Sequence, residues 1–174
     1  YENVALRLSN EVLSKLSSDL VQEYKRDKVS RKDWETGYTK GLDLLGFKYT
    51  EMTRPFKGSA SVTHPLLAEA VTQFQAQAYK ELIPSDGPVR AQVVGAQSDE
   101  KVNQATRVQE FFNYMLLEKM EEYTPDMDQM LFYLPLAGSA FKKIYFDEIM
   151  QRAVAKFVPA EDLVVPYYAT DLLE

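Results

Sequence analysis

The stretch FKKIYFD-EIMQ-RAVAKFV, residues 141–158, decides the fold class of this chain. Its two outer parts, Phe141–Asp147 and Arg152–Val158, are rich in aromatic and β-branched residues, which favour strands. The four residues between them fit the loop of a hairpin. Because helical patterns precede this hairpin and no βαβ alternation is present, the sequence predicts an α+β fold, mostly helical with a C-terminal β-hairpin.

Two N-terminal segments have the apolar spacing of amphipathic helices. Basic residues at 25–28 favour the end of the first helix, and Ser30 is expected to cap the second, which Gly46 ends. The apolar positions are Leu13, Leu16, Leu20 and Tyr24 in the first helix, and Trp34, Tyr38, Leu42 and Leu45 in the second.

Three further helices are expected between the central loop and the hairpin. Pro65 starts one of them, Ser98 caps a long acidic one, and Thr124 caps the last, which Pro135 kinks or stops. Short strands are expected at 47–52 and 89–94, and an extended piece at 163–168. The positions expected to face the core from the acidic helix are Val102, Ala105, Val108, Phe112 and Met115.

Composition excludes several classes of protein. The 174 residues contain no cysteine, so disulfides, thiol catalysis and cysteine-ligated metals are ruled out. They contain one histidine, His64. The net charge of −6 argues against a protein that simply coats nucleic acid or an anionic membrane. No apolar run approaches the roughly 20 residues of a membrane-spanning helix. The chain begins at Tyr1 and stops without a closing element, which suggests a piece of a longer protein.

The negative charge is concentrated in one region. Residues 96–134 hold eight acidic and three basic residues, whereas residues 1–62 hold nine acidic and eleven basic ones. The acidic region is either a solvated helix face or a surface that repels DNA phosphates or meets a basic partner. The basic residues of the N-terminal region either touch DNA or form a solvated or partner-facing surface; they are Lys25, Arg26, Lys28, Arg31 and Lys32.

The sequence contains no motif that indicates a catalytic, cofactor-binding or metal site. Neither a phosphate-binding loop nor a dinucleotide fingerprint is present. Ser139 and Lys142 have the spacing of a serine–lysine pair, but its companion motifs are absent and Lys142 falls in an expected strand. His64 either acts as a base or pH switch or simply occupies a helix start. An enzyme is therefore the least favoured class.

Residues 53–65 form the longest irregular segment, with two prolines and a run of small residues. Long irregular segments of this kind are usually functional or disordered. This segment is either a loop that packs within its own chain or a contact between subunits. The candidate subunit-interface residues are Arg54, Pro55, Phe56, Lys57 and His64.

Three parts of the sequence resemble the portal proteins of tailed bacteriophages, the head–tail connectors. The similarity covers residues 50–174, whereas residues 1–50 fit the family's helical N-terminal region without a distinctive motif. The chain stops before the long stem helices and the clip that this resemblance leads one to expect. The similar runs are TRPFKGSASVTHPLLAEA (53–70), EYTP to LAGSAFKK (122–143), and FVPAEDLVVP followed by ATDL (157–166 and 169–172).

The resemblance implies a structural, non-enzymatic protein without cofactors. Portal subunits form rings, typically dodecamers, at one capsid vertex, and double-stranded DNA passes through the channel during packaging and ejection. Terminase docks on the ring during packaging, and head-completion or tail adaptor proteins dock later. The implied location is the virion, with assembly in the host cytoplasm.

The domain organisation that follows is a single α+β domain, or a fragment of a larger portal subunit, over residues 1–174. Residues 1–50 would be its helical N-terminal region, and residues 51–174 would be the core of the wing. The alternative is a helical adaptor module of a virion that binds protein partners without forming a channel.

Overall fold

The computed structural model describes residues 3–46, 56–59 and 64–171. Within them, the expected α+β fold is confirmed, since five α-helices precede a two-stranded antiparallel hairpin. A 3₁₀ turn at Val4–Arg7 precedes the first helix, and a π-helical turn at Met115–Lys119 continues the fourth. The elements are α1 (Asn10–Ser30), α2 (Lys32–Leu45), α3 (Leu66–Leu82), α4 (Asp99–Tyr114), α5 (Tyr123–Ala137), β1 (Phe141–Asp147) and β2 (Arg152–Val158).

The described residues divide into two compact units. One unit is formed within Tyr1–Lys40 and Glu161–Glu174, and the other within Gly41–Ala160. The division falls inside α2. The strand expected at 47–52 lies outside the described residues.

The end of α1 differs from the sequence expectation. The helix continues through the basic residues to Ser30, and α2 begins almost at once, at Lys32. Ser30 is not the cap of α2, because its hydroxyl donates a hydrogen bond to the Asp27 carbonyl oxygen of its own helix at 2.7 Å. The Ser30 hydroxyl is thus satisfied within the helix to which it belongs.

Arg31 joins the two sequence segments of the first unit. Its Nη1 donates to the Leu163 carbonyl oxygen at 2.7 Å, and its Nε lies 3.1 Å from Oε1 of Glu35. Its guanidinium also lies 4.6 Å from the ring centroid of Trp34, which stacks on Tyr38. Residues 163–168, expected to be extended, form no strand pairing with the described residues.

The second unit is built around α5, which packs against α3 on one side and β2 on another. Val71 of α3 and Leu131 of α5 are each only 1% exposed. The Gln75 side chain donates to Oδ1 of Asp128 at 2.8 Å, which adds a polar link between α3 and α5. The start of α3 agrees with expectation, since Pro65 is its N-cap residue.

The core-facing side expected for α4 is wrong at three of its five positions, whereas Ala105 and Met115 are partly buried. Ser98 caps this helix as expected, but Val102, Val108 and Phe112 are 41–50% exposed. Polar side chains face inward instead: Gln109 and Asn113, one helical turn apart, bind the segment that leads into the helix.

The strand expected at 89–94 is also wrong, because that segment joins no sheet within the described part of the chain. The Val89 amide donates to Oδ1 of Asn113 at 2.9 Å, and the Ala91 amide donates to Oε1 of Gln109 at 3.1 Å. Two alternate amides bound on one side are typical of extended backbone. Helix side chains therefore take the place that a neighbouring strand would occupy.

The last helix begins two residues earlier than expected. Glu122, rather than Thr124, is its N-cap residue, and Pro125 lies in the first turn, where no intrahelical amide donor is needed. Pro135 lies in the last turn, and Gly138, with φ of +80°, ends the helix.

The hairpin has the bounds that the sequence predicts. The strands pair from Phe141 with Val158 to Asp147 with Arg152. Oδ1 of Asp147 accepts hydrogen bonds from the amides of Ile149 and Met150 and holds the turn together.

Candidate functional site

The predicted subunit-interface segment is described only in part. Arg54 and Pro55 lie outside the described residues. Phe56 and Lys57 are exposed, and so is His64, whose Nδ1 lies 4.0 Å from Oε1 of Glu69 near the start of α3. The three described residues are thus accessible to a partner, and their role as an interface stays a prediction.

Lys142 of the serine–lysine spacing is directed to α5. Its Nζ lies 4.1 Å from the ring centroid of Tyr123 and 3.9 Å from Sδ of Met127. Burial lowers the pKa of Lys142, and the nearby carboxylates of Asp126 and Glu122 oppose that shift. The lysine is therefore part of a polar cluster at the start of α5, which is the best-defined site among the described residues.

Glu122 is the centre of this cluster. Its Oε1 and Oε2 each receive a hydrogen bond or ion-pair contact from the Arg152 guanidinium at 2.8 Å, and Oε1 also accepts the Ala155 amide at 3.3 Å. The Arg152 hydrogen bond, reinforced by the Ala155 amide, holds the pKa of Glu122 below its usual value despite partial burial. A two-pronged arginine–carboxylate contact of this kind is directional and strong.

Asp126 lies one helical turn after Glu122, and its Oδ2 accepts the Phe157 amide at 2.7 Å. The turn of a helix, about 5.4 Å, nearly matches the two-residue repeat of a strand, about 6.7 Å. Two carboxylates four residues apart can therefore bind two alternate amides of one strand. Glu122 and Asp126, which we call the carboxylate pair, cover the outer edge of β2.

Sequence reasoning missed the carboxylate pair. Both residues belong to the acidic region 96–134, for which the sequence alone predicts a solvated helix face or a surface that repels DNA phosphates or meets a basic partner. The available signal was the four-residue spacing of Glu122 and Asp126 in a helix that runs directly into a hairpin. That spacing alone does not reveal which strand amides lack a partner.

Beside the carboxylate pair lies an open groove of about 430 Å³, which we call the hairpin groove. Val154 is its buried floor, and Tyr145 and Met150 are partly exposed. Four acidic and two basic side chains surround these apolar groups. The lining residues are Glu121, Glu122, Asp126, Tyr145, Asp147, Met150, Arg152, Val154 and Lys156.

No match with a known protein assigns a chemistry to this site. Among the described residues, no group of three or more histidine, aspartate or glutamate side chains is arranged to hold a metal ion. The described helices include none that is both long and apolar enough to cross a membrane. No protein-family model, curated protein or solved structure matches the chain.

Proposed function

We propose that this chain is a structural, non-enzymatic subunit of a bacteriophage portal ring. In that role it forms part of the channel for DNA packaging and ejection at the capsid vertex, and it docks terminase and then tail or adaptor proteins. The observation that carries the proposal is the resemblance of residues 53–70, 122–143, 157–166 and 169–172 to the portal family.

Exposed apolar helix faces support a role in an assembly. Leu16, Leu20 and Tyr24 of α1 are about half exposed, and Phe111 and Phe112 of α4 are at least half exposed. Contiguous apolar surface on a folded chain marks an interaction site. A ring subunit has a neighbour on each side and needs two different contact surfaces of this kind.

The charge distribution also supports the proposal. Residues 96–134 carry a net charge of −5, from eight acidic and three basic residues. A channel must let DNA slide, and strong phosphate contacts would hold it in place. An acidic subunit is therefore better suited to a channel through which DNA slides than to a protein that binds DNA tightly.

Electron microscopy and native mass spectrometry of the full-length protein test the proposal. A closed ring with a central channel is the expected result. A protein that stays strictly monomeric under assembly conditions contradicts it.

A helical adaptor module without a channel is the second candidate, favoured by the same exposed aromatic side chains on α4. The full-length sequence separates the two. Long helices flanking a small domain after residue 174 support a portal subunit, and their absence supports an adaptor.

A further inference from the structure

We propose that the hairpin groove receives the C-terminal part of α1 from a second copy of this chain, in a head-to-tail contact. This inference rests on the proposed function to the extent that a ring requires such contacts. It goes further by naming the two surfaces that meet.

The hairpin groove offers carboxylate oxygens that the fold leaves available. Within the described part of the chain, both oxygens of Glu121, Oδ1 of Asp126 and Oδ2 of Asp147 accept no hydrogen bond. Of the two cations in the lining, Arg152 is already bound by Glu122. The lining as a whole therefore has a net charge of −2, from four acidic and two basic side chains.

The groove also offers apolar contact area. Val154 is its buried floor, Tyr145 is about one-third exposed, and Met150 is more than half exposed. Ile149, next to Met150 at the hairpin turn, is almost fully exposed. A partner must therefore present apolar and basic groups together.

The C-terminal part of α1 has that combination. Val21, Tyr24, Lys25 and Lys28 are three, four and seven residues apart and so share one helix face. All four are exposed, and neither lysine forms an ion pair with another described residue. We call this set the basic α1 face.

The dimensions and charges of the two surfaces are complementary. The groove volume of about 430 Å³ is in the range of typical binding pockets. It is large enough for the ring of Tyr24 together with the aliphatic part of a lysine side chain. Lys25 and Lys28 then lie within reach of Glu121 and Asp147 at the rim. Because the two surfaces differ, each copy can use both at once, and copies can join in a series.

Charge reversal in the full-length protein tests the contact. Glu121→Lys and Lys28→Glu are each expected to weaken association between copies about tenfold, because each replaces an attraction by a repulsion. The double variant restores the attraction with opposite signs and is expected to recover association to within about threefold. Sedimentation velocity at low and at 0.5 M salt measures the effect, which salt must reduce.

Matched controls are available in the same two units. Glu81→Lys on α3 and Lys40→Glu on α2 make the same charge changes at exposed positions outside the hairpin groove and the basic α1 face, and association is expected to stay unchanged. Circular dichroism melting confirms that each variant folds.

The possible results separate the two proposals. If the wild type forms rings and both single charge-reversal variants form them equally well, the proposed contact is overturned and the portal function is not. Reversal-sensitive association that never closes into a ring supports the contact and contradicts the portal function. Single variants that weaken association without recovery in the double variant overturn the contact, and a wild-type protein that stays monomeric overturns both.

Discussion

Glu122 joins α5 to β2 through a charged side chain and a backbone amide at once. Its contacts with Arg152 and Ala155 are 2.8 and 3.3 Å long, and all three residues are buried or partly buried. Neutralising this carboxylate weakens both contacts, because hydrogen bonds to a charged acceptor are stronger than those to a neutral one. The residue thus makes the hairpin's attachment sensitive to acid.

Glu122→Gln is expected to lower the free energy of unfolding by about 1–2 kcal/mol at pH 7, because a hydrogen bond to a charged group is replaced by a neutral one. The pKa of Glu122 is lowered in the folded state. Its stabilisation is therefore fully present above the unfolded value of about 4.5 and is lost as pH falls through the folded pKa. Urea unfolding between pH 7 and pH 3 should show a smaller acid-induced loss in the variant.

Glu121→Gln is the control for this measurement, since Glu121 is exposed and makes no hydrogen bond to β2. The role assigned to Glu122 is refuted if the two variants have the same pH profile.

Gly87 has a tight neighbour as well as a left-handed backbone. Its φ is +95°, and a Cβ added there would lie 2.4 Å from Cγ of Asn113. Gly95 has a similar φ of +91° but nothing within 4 Å. Comparing the same substitution at Gly87 and Gly95 therefore separates the cost of backbone strain from the cost of a steric clash.

Gly95→Ala is expected to cost about 1 kcal/mol from the left-handed backbone alone. Gly87→Ala is expected to cost about 2–3 kcal/mol, because Asn113 must also move away from the Val89 amide it binds. Thermal and urea unfolding of both variants measure the difference. Equal losses at the two positions would remove the steric part of the explanation.

At the scale of elements, side chains of α4 form hydrogen bonds with the backbone of the segment that precedes the helix. Gln109 and Asn113 bind the amides of Ala91 and Val89, and Asn113 also donates to the carbonyl oxygen of Val89 at 3.2 Å. Two side chains thus supply hydrogen bonds to a segment that pairs with neither of the two described strands.

Asn113→Ala is expected to speed hydrogen exchange at the Val89 amide about tenfold or more, because its acceptor is removed. Asn103→Ala, on an exposed position of the same helix, is the control and should leave that amide unchanged. Exchange measured by NMR at neutral pH makes the comparison. Protection at Val89 that survives Asn113→Ala would mean that another group holds the segment.

The elements that the sequence predicted well are those with local signals. The hairpin bounds follow from two β-rich runs and a short loop, and the end of α2 follows from Gly46. The sequence predictions fail where the hydrogen-bond partner of a backbone amide is far away in the sequence. The acceptor for the Val89 amide is 24 residues away, and that for the Phe157 amide is 31 residues away.

At the scale of the whole molecule, burial is uneven. In the second unit it centres on α5, with Leu131 almost fully buried, while Val108 on α4 remains 41% exposed. Large apolar side chains therefore differ strongly in what they contribute to stability.

Leu131→Ala is expected to lower the free energy of unfolding by about 2–5 kcal/mol, through lost burial and the cavity left behind. Val108→Ala is expected to cost about 0.5 kcal/mol or less, since that side chain is already partly in water. Urea unfolding monitored by circular dichroism compares them. A cost at Val108 equal to that at Leu131 would place α4 in the core after all.

The sequence by itself determined the order and type of the helices and the hairpin, because helix stops and strand-forming runs depend on neighbouring residues. Only the tertiary structure decided that Gln109 and Asn113 of α4 bind the amides of Ala91 and Val89, and that Glu122 and Asp126 cover the edge of β2. The physical reason is that every buried amide needs a partner, and folding alone chooses which of the distant groups supplies it.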